Sequence, residues 1–169
     1  MILTYPFSEA DSCRAAKEWG ANCGPNSLAF ALQIPLEAVK GRIPDFDERR
    51  YTSPTMMRSA LAGLRRVFVD IRSKNIDDMF SSIPALVRIQ WCGPWTEPGA
   101  NPRWAYRQTH WICCYMAGDL RCVFDCNGGT MRFNEWQSEI VPLLIPPRGN
   151  GQWFPTHIWR VKEDGKDGV

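Results

Sequence analysis

Two strand-like runs, residues 110–116 and 121–126, are separated only by Ala117-Gly118-Asp119-Leu120. Gly-Asp supplies the residues that tolerate a two-residue β-turn, so the runs read as an antiparallel hairpin. The turn sets the register, and side chains alternate between the two faces of each strand. A turn centred on Gly118 and Asp119 puts His110 opposite Asn127 and Asp125 opposite Ile112. His110, Asp125 and Asn127 then share one face, with direct neighbours about 5 Å apart and diagonal ones about 7–8 Å. A three-residue loop would reverse that parity and send Asp125 to the other face. The adjacent Cys113 and Cys114 point to opposite faces of their strand.

Around this hairpin the chain divides into a helical first part and a strand-rich second part. Residues 8–19 are a short helical candidate. Gly20-Ala21-Asn22-Cys23-Gly24-Pro25 then leads into a second helix, with Pro25 in its first turn and Asn22 or Cys23 at its cap. Leu28, Ala31 and Leu32 recur at helical spacing and form its inward face. A short helix is expected over 35–40, and Ser53 caps another that opens with Pro54. Residues 67–71, 84–91, 131–133 and 156–161 read as further strands, and 75–82 as a small helix. The segment 92–108 reads as a long irregular loop rich in Pro, Gly and Trp, and 146–155 as a second loop. The fold class is therefore α+β, with N-terminal helices packed on a largely antiparallel sheet. One domain is expected over residues 1–162, followed by a polar tail at 163–169. A chain of 169 residues buries roughly 70% of its unfolded surface, enough for a core without staples.

Composition excludes several classes. Twenty Lys+Arg against eighteen Asp+Glu leave a net charge of +2, which argues against nucleic-acid and polybasic membrane-surface partners. Aromatics at 12%, with eight Trp, argue against disorder. No stretch approaches the roughly 18 consecutive apolar residues of a spanning helix. The opening Met1-Ile2-Leu3-Thr4-Tyr5-Pro6 lacks the basic and apolar regions of a secretory signal. Seven cysteines cannot all pair within one chain, so they read as free thiols in a reducing compartment, and a cytoplasmic location is expected.

Among those thiols, Cys23 stands where a loop meets a helix N-terminus. Unpaired N–H groups there favour thiolate and can hold the oxyanion of an acyl-transfer intermediate. Gly24 would let a substrate backbone approach closely. A nucleophilic cysteine needs a base, and the chain has only His110 and His157. His110 follows the long loop at a strand's start, a rim position. His157 has no carboxylate beside it in sequence and reads as a hydrogen-bonded core or rim residue. Asp125 or Asn127 could then hold the imidazole of His110 in its productive tautomer.

These residues resemble the papain-like cysteine peptidases, most closely the C39-like branch of bacteriocin-processing type. Asn22-Cys23-Gly24-Pro25-Asn26-Ser27-Leu28-Ala29 is similar to its nucleophile motif, and Thr109-His110-Trp111-Ile112 to its His-Trp strand. Val123-Phe124-Asp125-Cys126-Asn127-Gly128-Gly129 resembles its Asp-Pro-x-x-Gly segment, with Cys126 in place of Pro. The resemblance covers about residues 18–135. It implies a papain-like fold in which Cys23 is the nucleophile, His110 the base and Asp125 the orienter. It also implies hydrolysis of a peptide or isopeptide bond in a peptide or protein substrate, with no cofactor and no metal. The cleft would lie between helices and sheet, with 92–108 as one wall and 146–155 as another, and Trp95, Trp104 and Tyr106 available to substrate. The family carries a Gln six positions before its nucleophile, donating to the oxyanion; here that position is Lys17. Lys17, Asn22 and Gln108 are the candidate replacements, and a missing donor typically costs about 10²–10³ in turnover.

Three other readings compete. Cys113, Cys114, Cys122 and Cys126 could form a metal site, although Cys113 and Cys114 point opposite ways. A papain-like scaffold could serve as a non-catalytic binding module with the aromatic segment as its surface. The same thiol chemistry could belong to an amidase, acyltransferase or transglutaminase.

Overall fold

Ser8 opens the first helix through a reciprocal cap. Its Oγ accepts from Asp11 N at 3.1 Å, and Asp11 Oδ2 accepts from Ser8 N at 3.0 Å. In this computed structural model, which describes residues 6–20, 22–49 and 51–163, helix α1 spans Glu9–Trp19 and stops at Gly20, whose φ of 75° suits glycine. The expectations for residues 1–5 and for the tail over 164–169 lie outside the described residues. Helix α2 (Cys23–Leu32) follows, then α3 (Leu36–Lys40), α4 (Phe46–Arg49) and α5 (Pro54–Gly63). Ser53 Oγ accepts from Met56 N at 3.2 Å, the expected cap of α5.

The strands are β1 (Arg66–Asp70), β2 (Ala85–Trp91), β3 (Thr109–Ala117), β4 (Leu120–Asp125), β5 (Gly129–Arg132) and β6 (Trp153–Glu163). They form one sheet in the order β1-β6-β2-β3-β4-β5, with every neighbouring pair antiparallel. The chain is thus an α+β protein. The β3–β4 hairpin runs from Cys113↔Phe124 to Ala117↔Leu120, which leaves the two-residue turn Gly118-Asp119. Gly118 has a φ of 62° there, and the parity inferred from sequence holds.

Several elements depart from the sequence reading, among them α4, which it did not include, and the strand expected over 131–133, which ends at Arg132 because Phe133 opens a helix. Segment 92–108 is not wholly irregular: a 3₁₀ turn spans Pro94–Thr96 and helix α6 spans Pro102–Arg107. Asn101 Oδ1 caps α6 by accepting from Arg103 N at 3.0 Å, and Pro102 fills its first turn. Between β5 and β6 lies a helical stretch, α7 (Phe133–Glu135), a π-helical turn (Trp136–Ile140) and α8 (Val141–Leu144). Its apolar Phe133, Trp136, Ile140, Val141 and Leu144 follow a helical period that the strand-rich context obscured. Strand β6 begins at Trp153, so the second loop is shorter than 146–155.

The sheet separates two cores. On one side α1, α2 and α5 bury Phe30, Met57 and Leu61 against Leu86, Trp111, Cys113, Phe124 and Trp159. Phe30 and Phe124 stack there with centroids 4.3 Å apart. On the other side Met79, Phe80, Trp136 and Val141 cover Val87, Ile89, Ile112, Cys114 and Val123. Cys113 and Cys114 accordingly belong to different cores. Helix α2 is buried beyond its expected face: every residue from Gly24 to Leu32 is enclosed. All seven cysteines are free thiols. Among the described residues, no helix is long and apolar enough to cross a membrane.

Candidate active site

Helix α2 is anchored at its N-terminus by polar side chains that its burial would otherwise leave unpaired. Ser12 Oγ of α1 donates to Asn26 Oδ1 at 2.8 Å, and Asn26 Nδ2 donates to Asn22 O at 3.0 Å. Asn22 precedes the helix without capping it; its Nδ2 donates to Ser12 O at 3.3 Å instead. Ser27 Oγ reaches the sheet and donates to Trp111 O at 3.0 Å. These bonds lock the first turn of α2 beside the start of β3, where His110 is the second residue.

Cys23, the first residue of α2, there meets two donors. Its sulfur is hydrogen-bonded to the His110 ring and to the backbone N–H of Trp111. His110 Nε2 lies 3.0 Å from Asp125 Oδ2, so the ring turns Nδ1 toward Cys23. Asp125 is fully buried and saturated with donors. Its Oδ2 also accepts from Trp136 Nε1 at 2.8 Å, and its Oδ1 accepts from Asn127 N and Asn127 Nδ2, both at 2.9 Å. Cys23 is half-buried and His110 is 8% exposed, so the nucleophile is reachable while its partners are sheltered.

The charges follow from this arrangement. Burial pushes the Cys23 thiol up, but the adjacent His110 charge, its hydrogen bond and the Trp111 N–H outweigh burial and leave it below the ordinary thiol value. Burial likewise pushes His110 down, yet the charges of Asp125 and Cys23 hold its imidazolium well above the usual range. Burial opposes ionisation of Asp125 too, but His110, Asn127 and Trp136 bring its carboxyl down to about 2. Each shift favours the charged form: thiolate at Cys23, imidazolium at His110 and carboxylate at Asp125.

Cys23 opens onto a cleft of about 640 Å³, between the α4–α5 connection at Tyr51 and Thr52, helix α6, and the sheet at Arg88 and Trp111. Trp111 ties two of these walls together, since its Nε1 donates to Thr52 O at 2.9 Å. The expected first wall is therefore present as α6, but 146–155 contributes no lining residue; the Tyr51–Thr52 segment stands there instead.

The residues anticipated around the nucleophile divide in a similar way. Tyr106 lines the cleft, whereas Trp104 is exposed without lining it. Trp95 is a core residue, its Nε1 donating to Trp91 O at 2.6 Å. Gly24 does not face substrate: a Cβ there would collide with the Thr52 side chain, so the glycine serves helix packing. Lys17 sits on the exposed surface of α1, Asn22 is engaged with Ser12, and the backbone carbonyl of Gln108 accepts from Gln90 Nε2 at 2.8 Å; none of the three lines the cleft. Asn127 orients Asp125 rather than the imidazole. Sequence reasoning did not find Trp136, Arg88, Tyr51 or Thr52, because no local pattern marks a residue that another element carries to the site.

The four-cysteine metal site does not assemble, because Cys113 and Cys122 lie on one face of the sheet and Cys114 on the other. Among the described residues, the metal-type ligands that do converge are His110, Asp125 and Cys126, all within 4.8 Å. They form a hydrogen-bonded relay rather than an open chelate, since both Asp125 oxygens already accept hydrogen bonds. Burial and the charge of Cys23 push the Cys126 thiol well up, so it stays protonated.

No family model matches this chain, and a search of the curated proteins finds no match either.

Proposed function

We propose that this chain is a cysteine peptidase of papain-like, C39-like arrangement that cleaves a peptide or isopeptide bond through Cys23, His110 and Asp125. The observation that carries this reading is the unbroken relay from the Cys23 sulfur through the His110 ring to the Asp125 carboxylate, opening on a cleft. The paired charges make the thiolate available near neutrality, where an isolated thiol is mostly protonated. The thiolate attacks the carbonyl carbon, and the carbonyl electrons move to oxygen. That oxyanion meets the backbone N–H of Cys23 at the N-terminus of α2, because Pro25 has no N–H and Asn26 N donates to Asn22 O at 3.0 Å. His110 donates its Nδ1 proton to the leaving amine as the C–N bond breaks, which gives the acyl-enzyme and a neutral imidazole. Water then attacks the thioester while His110 takes its proton, and the acid and the thiolate are released. Asp125 holds the ring and offsets its positive charge throughout.

With Lys17 on the outer surface of α1, the oxyanion relies on backbone donors. Turnover is therefore expected to fall short of a site with a side-chain donor by about 10²–10³-fold.

The test is the rate of Cys23 alkylation by iodoacetamide against pH, in wild type and in His110→Ala. The expected result is a plateau extending well below the ordinary thiol pKa of about 8.5 that disappears in the variant. A Cys23 that reacts like a free thiol in both proteins would leave the binding-module reading in front. Cleavage of a peptide library by wild type, and its loss in Cys23→Ala, completes the assignment.

A further inference from the structure

The cleft contains a charge that the Cys23–His110–Asp125 chemistry does not use. Arg88, in β2, is only 4% exposed and lines the cleft beside Cys23. A guanidinium taken out of water is normally paired with an anion. Here the negative charge facing it is that of Cys23 itself: among the described residues no carboxylate forms an ion pair with Arg88, and its Nε is buried without a hydrogen-bond partner. Its Nη1 makes only a long contact of 3.4 Å to Thr156 Oγ1, a hydroxyl that donates to the Arg88 carbonyl at 3.0 Å. The Tyr106 ring covers the guanidinium, 4.5 Å from centroid to Cζ. His157, directly opposite Arg88 on β6, offers no negative charge, and its own imidazole is held neutral by burial and by Arg88.

The position of Arg88 is set by register. It is the cross-strand neighbour of Trp111, whose backbone N–H holds the Cys23 sulfur. Neighbours of that kind are about 5 Å apart. The surroundings have the same sign. Arg103 and Arg107 of α6 also line the cleft, and no Asp or Glu does.

We infer that Arg88 determines specificity in this cleft by binding a carboxylate carried by the substrate residue next to the scissile bond. This rests on the peptidase reading and adds the substrate class to it. A planar guanidinium that pairs with no carboxylate matches the two oxygens of one, and the bond forms where water is largely excluded. The carboxylate belongs either to an acidic side chain or to the end of a chain. Both present the same chemistry to Arg88.

The experiment compares alkylation of Cys23 by iodoacetate and by iodoacetamide. The two reagents differ in the carboxylate that sits one carbon from the reacting centre. The expected result is a preference for iodoacetate of about 10- to 100-fold, the worth of one charge-assisted hydrogen bond. That preference should saturate with reagent and be lost in Arg88→Met. A second measurement needs only wild type: protection of Cys23 from iodoacetamide by small ligands. N-acetylglutamate α-amide carries only the side-chain carboxylate, N-acetylglutamine only the terminal one, and N-acetylglutamine amide neither. Protection by the first or the second, and not the third, supports the inference and names the source. Equal protection by all three, protection by none, or protection by inorganic phosphate alone would overturn it. So would an iodoacetate preference that survives in Arg88→Met. Iodoacetamide is uncharged, so its pH profile in wild type reports on the Cys23–His110 pair separately, and failure of one reading is distinguishable from failure of the other.

Discussion

The two histidines of this chain sit in one sheet and are pushed in opposite directions, His110 toward the imidazolium and His157 toward the neutral ring. His110 is at the β3 edge of the cleft, with a saturated carboxylate on Nε2 and a thiolate on its other side. His157 is in β6, its Nδ1 3.1 Å from Thr156 Oγ1, with Trp111 and Trp159 rings packed around it. Both are sheltered from water, which favours the neutral ring in each. Asp125 reverses that preference at His110, while Arg88 reinforces it at His157. The comparison teaches that residue type and burial do not by themselves set the charge of a histidine here. The neighbour that the next strand delivers does, an acid from β4 in one case and a base from β2 in the other.

The sharpest way to break the comparison is to remove what His110 serves. Cys23→Ala should lower peptide hydrolysis by about 10⁴-fold or more, with the fold intact by circular dichroism. Asp125→Asn comes next. It keeps the shape but removes the charge, and should cost about 10³–10⁴-fold in kcat while bringing the His110 titration down toward that of His157. Nuclear magnetic resonance of the two imidazoles reads this directly. In wild type, His110 should stay protonated well above the ordinary histidine value of about 6.5, while His157 should lose its proton below it.

Stability against pH should show the same opposition with smaller effects. Asp125 titrates at about 2 in the fold and near 3.9 unfolded, so it contributes about 2–3 kcal/mol. That contribution is present above pH ~4 and lost as pH falls through about 2. The raised value of His110 acts the other way: its contribution is complete below pH ~6.5 and is lost as pH rises through the folded value. The depressed value of His157 makes a contribution present above pH ~6.5 and lost as pH falls through its folded value. Urea unfolding from pH 2 to 9, repeated in Asp125→Asn and His157→Gln, separates the three. The smallest effect is expected for His157→Gln on hydrolysis, less than about threefold, because surface and rim changes away from the chemistry are usually mild. A loss as large as that of His110→Ala would erase the distinction between the two histidines.

Much of the fold was legible because its signals are local. Ser8 and Ser53 are helix caps written in a few residues, and Gly118-Asp119 fixes a hairpin register that carries His110 and Asp125 to one face. Helix α6 was also written locally, in Asn101-Pro102, but Pro, Gly and Trp around it masked the signal. Other assignments needed distance information that a linear pattern lacks. Trp95 and Trp104 look alike in sequence, yet one is core and the other exposed. Gly24 looks free for substrate until Thr52, from another element, fills the space.

The sequence by itself determined the α+β class, the hairpin parity, and the choice of Cys23, His110 and Asp125 as the residues to examine. Each depends on turn chemistry, capping or side-chain alternation, which act over a few residues. Only the tertiary structure decided that the Cys23 turn docks on β3, that Trp136 and Asn127 saturate Asp125, and that Arg88 stands in the cleft with its Nε unpartnered. Those are contacts between residues far apart in the chain. They arise because burying α2 against the sheet brings polar groups from separate elements together, where Ser12, Asn26 and Ser27 find partners while Thr52 Oγ1 and Arg88 Nε do not.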